Sequence, residues 1–149
     1  MARNPHQGER TGGPADVFRA RPEVVLLSED FQLAGLIRTI LGDIGIDLIF
    51  TGSGCRTASC FGSMPPLPDV VILDLPFGVG YAETGVMVAT LRKVFPGVGV
   101  LLISSYSGEE ILPAAALRER VRCLQKPFRT ADLATAVREM ADAGLRRVQ

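Results

Sequence analysis

Four things are scarce in this chain, and each scarcity removes a class of function. Net charge is absent, with 16 Lys and Arg against 16 Asp and Glu, so bulk electrostatics recruit neither nucleic acid nor an anionic membrane. Long apolar runs are missing too: none approaches a membrane span, and the N-terminus lacks the apolar core of a secretory signal, which makes the cytoplasm the expected compartment. Cysteine occurs only at Cys55, Cys60 and Cys123. An odd number without zinc-like spacing fits reduced thiols that serve as packing residues better than a disulfide frame. The one histidine, His6, lies in a Gly-, Pro- and Arg-rich stretch from Met1 to about Arg21 without periodicity, read as a mobile tail, so it is not expected to be a catalytic imidazole.

What remains is 149 residues, 47% hydrophobic and 21% charged, enough for one domain with one sizeable core. Its regular part begins at Glu23. Val24-Val25-Leu26-Leu27 is a short aliphatic strand that runs into Ser28-Glu29-Asp30. Phe31, Ala34, Ile37, Ile40 and Leu41 then recur at helical spacing, with Gly42 expected to close the helix. Asp47 to Phe50 reads as a second strand, followed by Thr51-Gly52-Ser53-Gly54 and a weak helix near Arg56 to Phe61 that Gly62 and the prolines at 65, 66 and 68 stop.

Pro68-Asp69-Val70-Val71-Ile72-Leu73-Asp74 organises the rest. Four aliphatics after a Pro-Asp turn predict a strand buried on both faces, as in the middle of a parallel sheet. Asp74 then falls at the carboxyl end of that strand, where open α/β sheets bind ligands, although an acid there also serves as a helix cap. Beyond it, a Gly-rich loop is expected from Pro76 to Gly85, then a helix marked by Val88, Leu91, Val94 and Phe95 that Pro96-Gly97 ends. Val98 to Ile103 predicts a fourth strand leading into Ser104-Ser105, Leu112 to Arg120 a fourth helix, Val121 to Leu124 a fifth strand ended by Lys126-Pro127-Phe128, and Thr130 the cap of a last helix that buries Leu133, Val137, Met140 and Ala141. Pro113 is harmless only at the start of a helix, so the fourth helix should begin near Leu112 with 107–111 as a loop or loose turn.

Strands alternating with helices imply a parallel sheet covered on both faces. On that plan Glu29, Asp30, Asp74, Ser104 and Lys126 fall at four strand ends along one edge. Three carboxylates crowded there repel, each ionised pair at about 4 Å costing roughly 4 kcal/mol at an effective dielectric of 20. Lys126 offers one compensating charge, and a hard divalent ion such as Mg²⁺ would supply the rest while leaving positions open to a phosphoryl oxygen. Asp74 is then a candidate nucleophile for an acyl phosphate, with Ser104 as hydroxyl donor and Lys126 as counter-charge.

Four motifs now stand in order: Leu27-Ser28-Glu29-Asp30, Pro68 to Asp74, Ile103-Ser104-Ser105-Tyr106 and Gln125-Lys126-Pro127-Phe128. From about Pro22 to Leu145 the chain resembles the receiver domain of bacterial two-component response regulators. The resemblance implies a flavodoxin-like (βα)5 fold with strand order 2-1-3-4-5, a receiver domain over 22–146 and a cis Lys126-Pro127 bond; the stretch after Phe128 is expected to hold the last helix and no output domain, as in a stand-alone receiver or a fragment cut before its effector. It further implies that Glu29, Asp30, Asp74 and the Pro76 carbonyl hold Mg²⁺, and that Asp74 takes a phosphoryl group from a histidine kinase or phosphotransfer protein. Ser104 and Lys126 read that group and switch the face made by the fourth helix, fifth strand and last helix, which binds a downstream protein or a second copy as a homodimer. Two departures stand out: Pro76 comes early, with Gly85 as the match to the family's helix-opening glycine, and Cys123 replaces the usual strand-five aromatic, so either Tyr106 is the ring that moves in its place or Cys123 is inert packing and Tyr106 a surface ring. Pro76 also has no N–H to offer a phosphoryl oxygen.

Two other readings are kept beside this one. A degenerate receiver would bind proteins without ever being phosphorylated. A nucleotide or flavin binder would use Thr51-Gly52-Ser53-Gly54, which matches neither the P-loop nor the full dinucleotide fingerprint.

Overall fold

A computed structural model describes residues 22–52, 68–117 and 120–148. The tail before Pro22, the helix expected near Arg56 to Phe61, Cys55, Cys60 and Ser53-Gly54 lie outside the described residues.

Five strands, β1 (Val24–Leu27), β2 (Leu48–Gly52), β3 (Val70–Asp74), β4 (Gly99–Ser104) and β5 (Val121–Gln125), form one sheet in the order β2-β1-β3-β4-β5. All four neighbouring pairs are parallel. Period-two alternation sorts the strand residues onto two faces. Val25, Leu27, Val71, Leu73, Val100 and Leu102 join one buried cluster with Met87, Val88 and Leu91 of α2 (Tyr81–Val94). Val24, Leu26, Val70, Ile72, Leu101 and Ile103 join the other with Ile37 and Leu41 of α1 (Phe31–Asp43) and Leu133 and Val137 of α5 (Thr130–Val148). Every residue of β1, β3 and β4 is buried, which explains why these strands read as unbroken aliphatic runs rather than as alternating ones. No helix of the described residues is long and apolar enough to cross a membrane.

Several boundaries differ from the sequence expectation, each for a local reason. Helix α1 passes through Gly42 and ends at Asp43, because the left-handed position falls on Gly45 (φ 79°). There Gly45 N–H donates to the Gly42 carbonyl (3.1 Å) and Ile46 N–H to the Leu41 carbonyl (2.9 Å), a Schellman closure fastened by the buried Ile46. Gly85 does not open a helix but lies inside α2, whose cap is Gly80; the loop after β3 is therefore shorter than expected. Thr130 is the first helical residue of α5 instead of its cap, a one-residue difference.

The fourth helix is the largest revision. In place of a helix from Leu112 to Arg120 there are two short turns, α3 (Gly108–Ile111) and α4 (Ala114–Leu117). Leu112 between them is extended (φ −144°, ψ 148°), as the residue before a proline must tend to be, because the Pro113 ring crowds a helical predecessor. A capping box between Ser107 and Glu110 supports the first turn. The break expected around Pro113 is present, and among the described residues the helix after it spans Ala114–Leu117.

Candidate functional site

The carboxyl edge of the sheet places the site. Register pairs Leu27 with Leu73 and Asp74 with Ile103, so the residue after β1, Ser28, stands beside Asp74, and Ser104 lies one step further along β4. Asp74 is 7% exposed, too buried for an uncompensated charge. Its Oδ1 lies 2.7 Å from the Lys126 ammonium, which follows β5. Its Oδ2 accepts a 2.7 Å hydrogen bond from the Ser28 hydroxyl. Lys126 is held in turn: its Nζ donates to the Leu75 carbonyl (3.2 Å) and its backbone N–H to the Ser104 carbonyl (2.7 Å), and the Lys126-Pro127 peptide is cis.

Ser104 is fully buried and its Oγ accepts the Tyr106 N–H at 3.0 Å. It makes no hydrogen bond to Asp74; the connection runs through the backbone, since Lys126 hangs on the Ser104 carbonyl and Leu75 N–H on that of Ile103 (2.8 Å). Tyr106 packs beside Cys123, whose thiol donates to the Tyr106 carbonyl at 3.8 Å. Burial pushes the Cys123 thiol up to about 11, because a thiolate loses hydration there.

The acids that follow β1 are arranged differently from the expected cluster. Asp30 is the N-cap of α1: its Oδ1 accepts the N–H groups of Gln32 (3.0 Å) and Leu33 (3.1 Å). Such bonds answer two of the four orphan donors of a helix start. Glu29 is exposed and bonds to neither Asp74 nor Lys126. The Pro76 carbonyl accepts Val79 N–H at 3.2 Å, closing the loop on itself. Among the described residues no group of three or more His, Cys, Asp or Glu side chains could hold a metal ion. The acids as arranged do not assemble a Mg²⁺ site: Asp30 caps a helix through its Oδ1, Glu29 stands apart, and of the Asp74 oxygens Oδ2 accepts from Ser28 while Oδ1, ion-paired with Lys126, accepts no hydrogen bond.

Thus Asp74 and Lys126 are brought together, Ser104 adjoins them, and Glu29 and Asp30 form no metal-holding group with Asp74 among the described residues. Ser28 is the residue that sequence reasoning passed over. Aligning the last aliphatics of β1 and β3, Leu27 and Leu73, would have put it opposite Asp74.

No protein-family model and no curated protein matches the chain. Solved structures do. A response regulator receiver domain protein from Methanospirillum hungatei aligns with a TM-score of 0.61 at 20% identity over 86% of this chain and 98% of that one. The receiver domain of a Francisella response regulator gives 0.61 at 22%, over 87% and 100%, and a response regulator from Thermotoga maritima 0.60 at 20%, over 82% and 98%. With its parallel 2-1-3-4-5 sheet and its buried acid at the end of β3, the chain has the fold of a response-regulator receiver domain.

Proposed function

We propose that this chain is the receiver of a two-component signalling pathway in the cytoplasm, and that Asp74 accepts a phosphoryl group from a phosphohistidine of a sensor kinase or phosphotransfer protein. The observation that carries this reading is the buried Asp74–Lys126 pair at the carboxyl edge of the sheet. An Asp74 oxygen attacks phosphorus, the P–N bond of the phosphohistidine breaks, and the imidazole nitrogen leaves with the electron pair and is protonated by water. Lys126 and the Ser104 hydroxyl are the donors at hand for the phosphoryl oxygens, acting as fixed electrostatic partners. Response then passes to the face built from α3, α4, β5 and α5, through Ser104, Tyr106 and Cys123, and from it to a downstream protein or a second copy of the chain. Mg²⁺, which the resemblance implies, enters no step of this account, because the acids present do not assemble around Asp74.

Intact mass after incubation with phosphoramidate or acetyl phosphate tests the reading. One added phosphoryl group is expected in the wild type and none in Asp74→Asn; equal labelling of the two would remove Asp74 from the role. One observation favours the second reading, a protein-binding module that is never phosphorylated: Asp74 Oδ2 already accepts from Ser28 and Oδ1 is ion-paired with Lys126. A wild-type mass unchanged by either donor selects it.

A further inference from the structure

From the Ser28–Asp74 contact we infer that Ser28 is a positioning residue which holds the Asp74 carboxylate in its reactive orientation in place of a divalent cation. The inference rests on Asp74 being the phosphoryl acceptor, and its geometry is independent of that reading. A serine hydroxyl has one hydrogen to give. Ser28 Oγ lies 2.7 Å from Asp74 Oδ2 and 3.4 Å from the Asp30 carbonyl, so the shorter contact takes the hydrogen. The Oγ is itself fixed as the acceptor of Asp30 N–H at 3.1 Å. The chain leaves β1, bonds back onto Ser28 through Asp30 N–H, and enters α1 with the Asp30 carboxylate as cap, so one rigid turn both aims the hydroxyl at Asp74 and turns the Asp30 carboxylate toward the helix.

Charge and position agree with this assignment. Asp74 and Lys126 form a neutral pair, and Ser28 adds a donor without adding charge. The electrostatic need for a divalent cation, which three converging carboxylates would create, does not arise. Ser28 and Lys126 flank the carboxylate from two sides, after β1 and after β5, and the Ser28 bond is the directional one, since Oδ1 is ion-paired with Lys126 but accepts no hydrogen bond. A cation entering on the Oδ2 side would have to displace the Ser28 hydroxyl, and of the two exposed acids that follow β1, Glu29 and Asp30, the second is committed through its Oδ1 to the start of α1.

The experiment compares wild type, Ser28→Asp, Ser28→Ala and Ser28→Thr in two measurements. In the first, Mg²⁺ is titrated into ¹⁵N-labelled protein and the amide signals of Glu29 and Leu75 are followed. Wild type is expected to show no saturable shift at millimolar Mg²⁺, whereas Ser28→Asp, which adds a carboxylate beside Asp74, does. In the second, phosphoramidate labelling is timed in EDTA. Loss of a hydrogen bond to a charged group should slow Ser28→Ala about tenfold, Ser28→Thr should retain the wild-type rate, and Ser28→Asp should label only when Mg²⁺ is restored. Saturable Mg²⁺ binding by wild type as tight as that of Ser28→Asp overturns the inference, as does Ser28→Ala labelling at the wild-type rate in EDTA. Should no variant accept phosphate under any condition, the proposed function fails while the Mg²⁺ titration still decides the role of Ser28.

Discussion

Phe77 and Tyr106 stack with their ring centroids 6.2 Å apart and their planes 24° from parallel. Phe77 belongs to the loop after Asp74 and Tyr106 to the loop after Ser104, so the stack joins the two loops that leave the site. Phe77 is 83% exposed while Tyr106 packs into the core beside Cys123. The pair therefore connects an outer surface, through one ring, to the interior flank of β5.

This linkage predicts that a phosphoryl group on Asp74 alters the surroundings of Cys123. With Cys55 and Cys60 replaced by serine, phosphoramidate treatment should change the rate at which Cys123 reacts with a thiol reagent. Tyr106→Ala should abolish the change while leaving phosphate incorporation on Asp74 intact. Equal Cys123 rates before and after phosphorylation would show that any signal leaves by another route.

Cys123 also has a pH signature. Its folded-state value of about 11 stands above the ordinary 9.0 of a free thiol, through burial. A raised folded value means that the native state favours the protonated thiol. Its contribution to stability is therefore complete below about pH 9 and is lost as pH rises through 9 toward 11. At neutral pH the thiol should alkylate more slowly than a free cysteine, with the rate still climbing beyond pH 9. An alkylation profile that levels off at pH 9 in the folded protein would contradict the burial of this side chain.

How much of this was legible in the sequence depends on which force fixed each feature. Aliphatic runs and helical spacing showed the strands, most of the helices and the two-faced core, because burial dictates those patterns directly. Asp74, Ser104 and Lys126 could be placed for the same reason: each follows the end of an aliphatic run. The glycines misled. Gly42 and Gly85 were expected to end or open helices, but an isolated glycine is tolerated inside a helix at modest cost, and only the backbone shows that Gly45 and Gly80 hold the terminal positions. Asp30 was legible as an acid at the right edge but not as a cap, since a carboxylate one residue before a helix suits either use. That choice is made by the turn through Ser28, a contact between β1 and β3 that no local pattern announces.

Asp30 as cap carries its own prediction. Asp30→Ala removes the acceptor for two N–H groups at the start of α1 and should lower the unfolding free energy by about 1 kcal/mol, read from urea denaturation at neutral pH. Asp30→Ser, which can still cap, should recover most of the loss. If Asp30→Ala is neutral, the capping bonds contribute nothing and the carboxylate is free for other work.

The last prediction concerns the pair on which the site is built. Lys126→Met strands Asp74 as a buried charge with only the Ser28 hydroxyl beside it, and removing one partner of a buried pair is more damaging than removing both. Since the Lys126 side chain keeps 30% of its exposure against 6% for Asp74, water relieves part of the cost, and a loss of about 2 kcal/mol is expected. Asp74→Asn in the Lys126→Met background replaces the stranded carboxylate by a neutral amide that can still accept from Ser28, so it should restore most of that stability. Urea denaturation of the wild type, both single variants and the double variant gives the coupling directly. Additive losses in the double variant would mean that Asp74 and Lys126 do not hold one another, and the electrostatic basis of the site would have to be sought elsewhere.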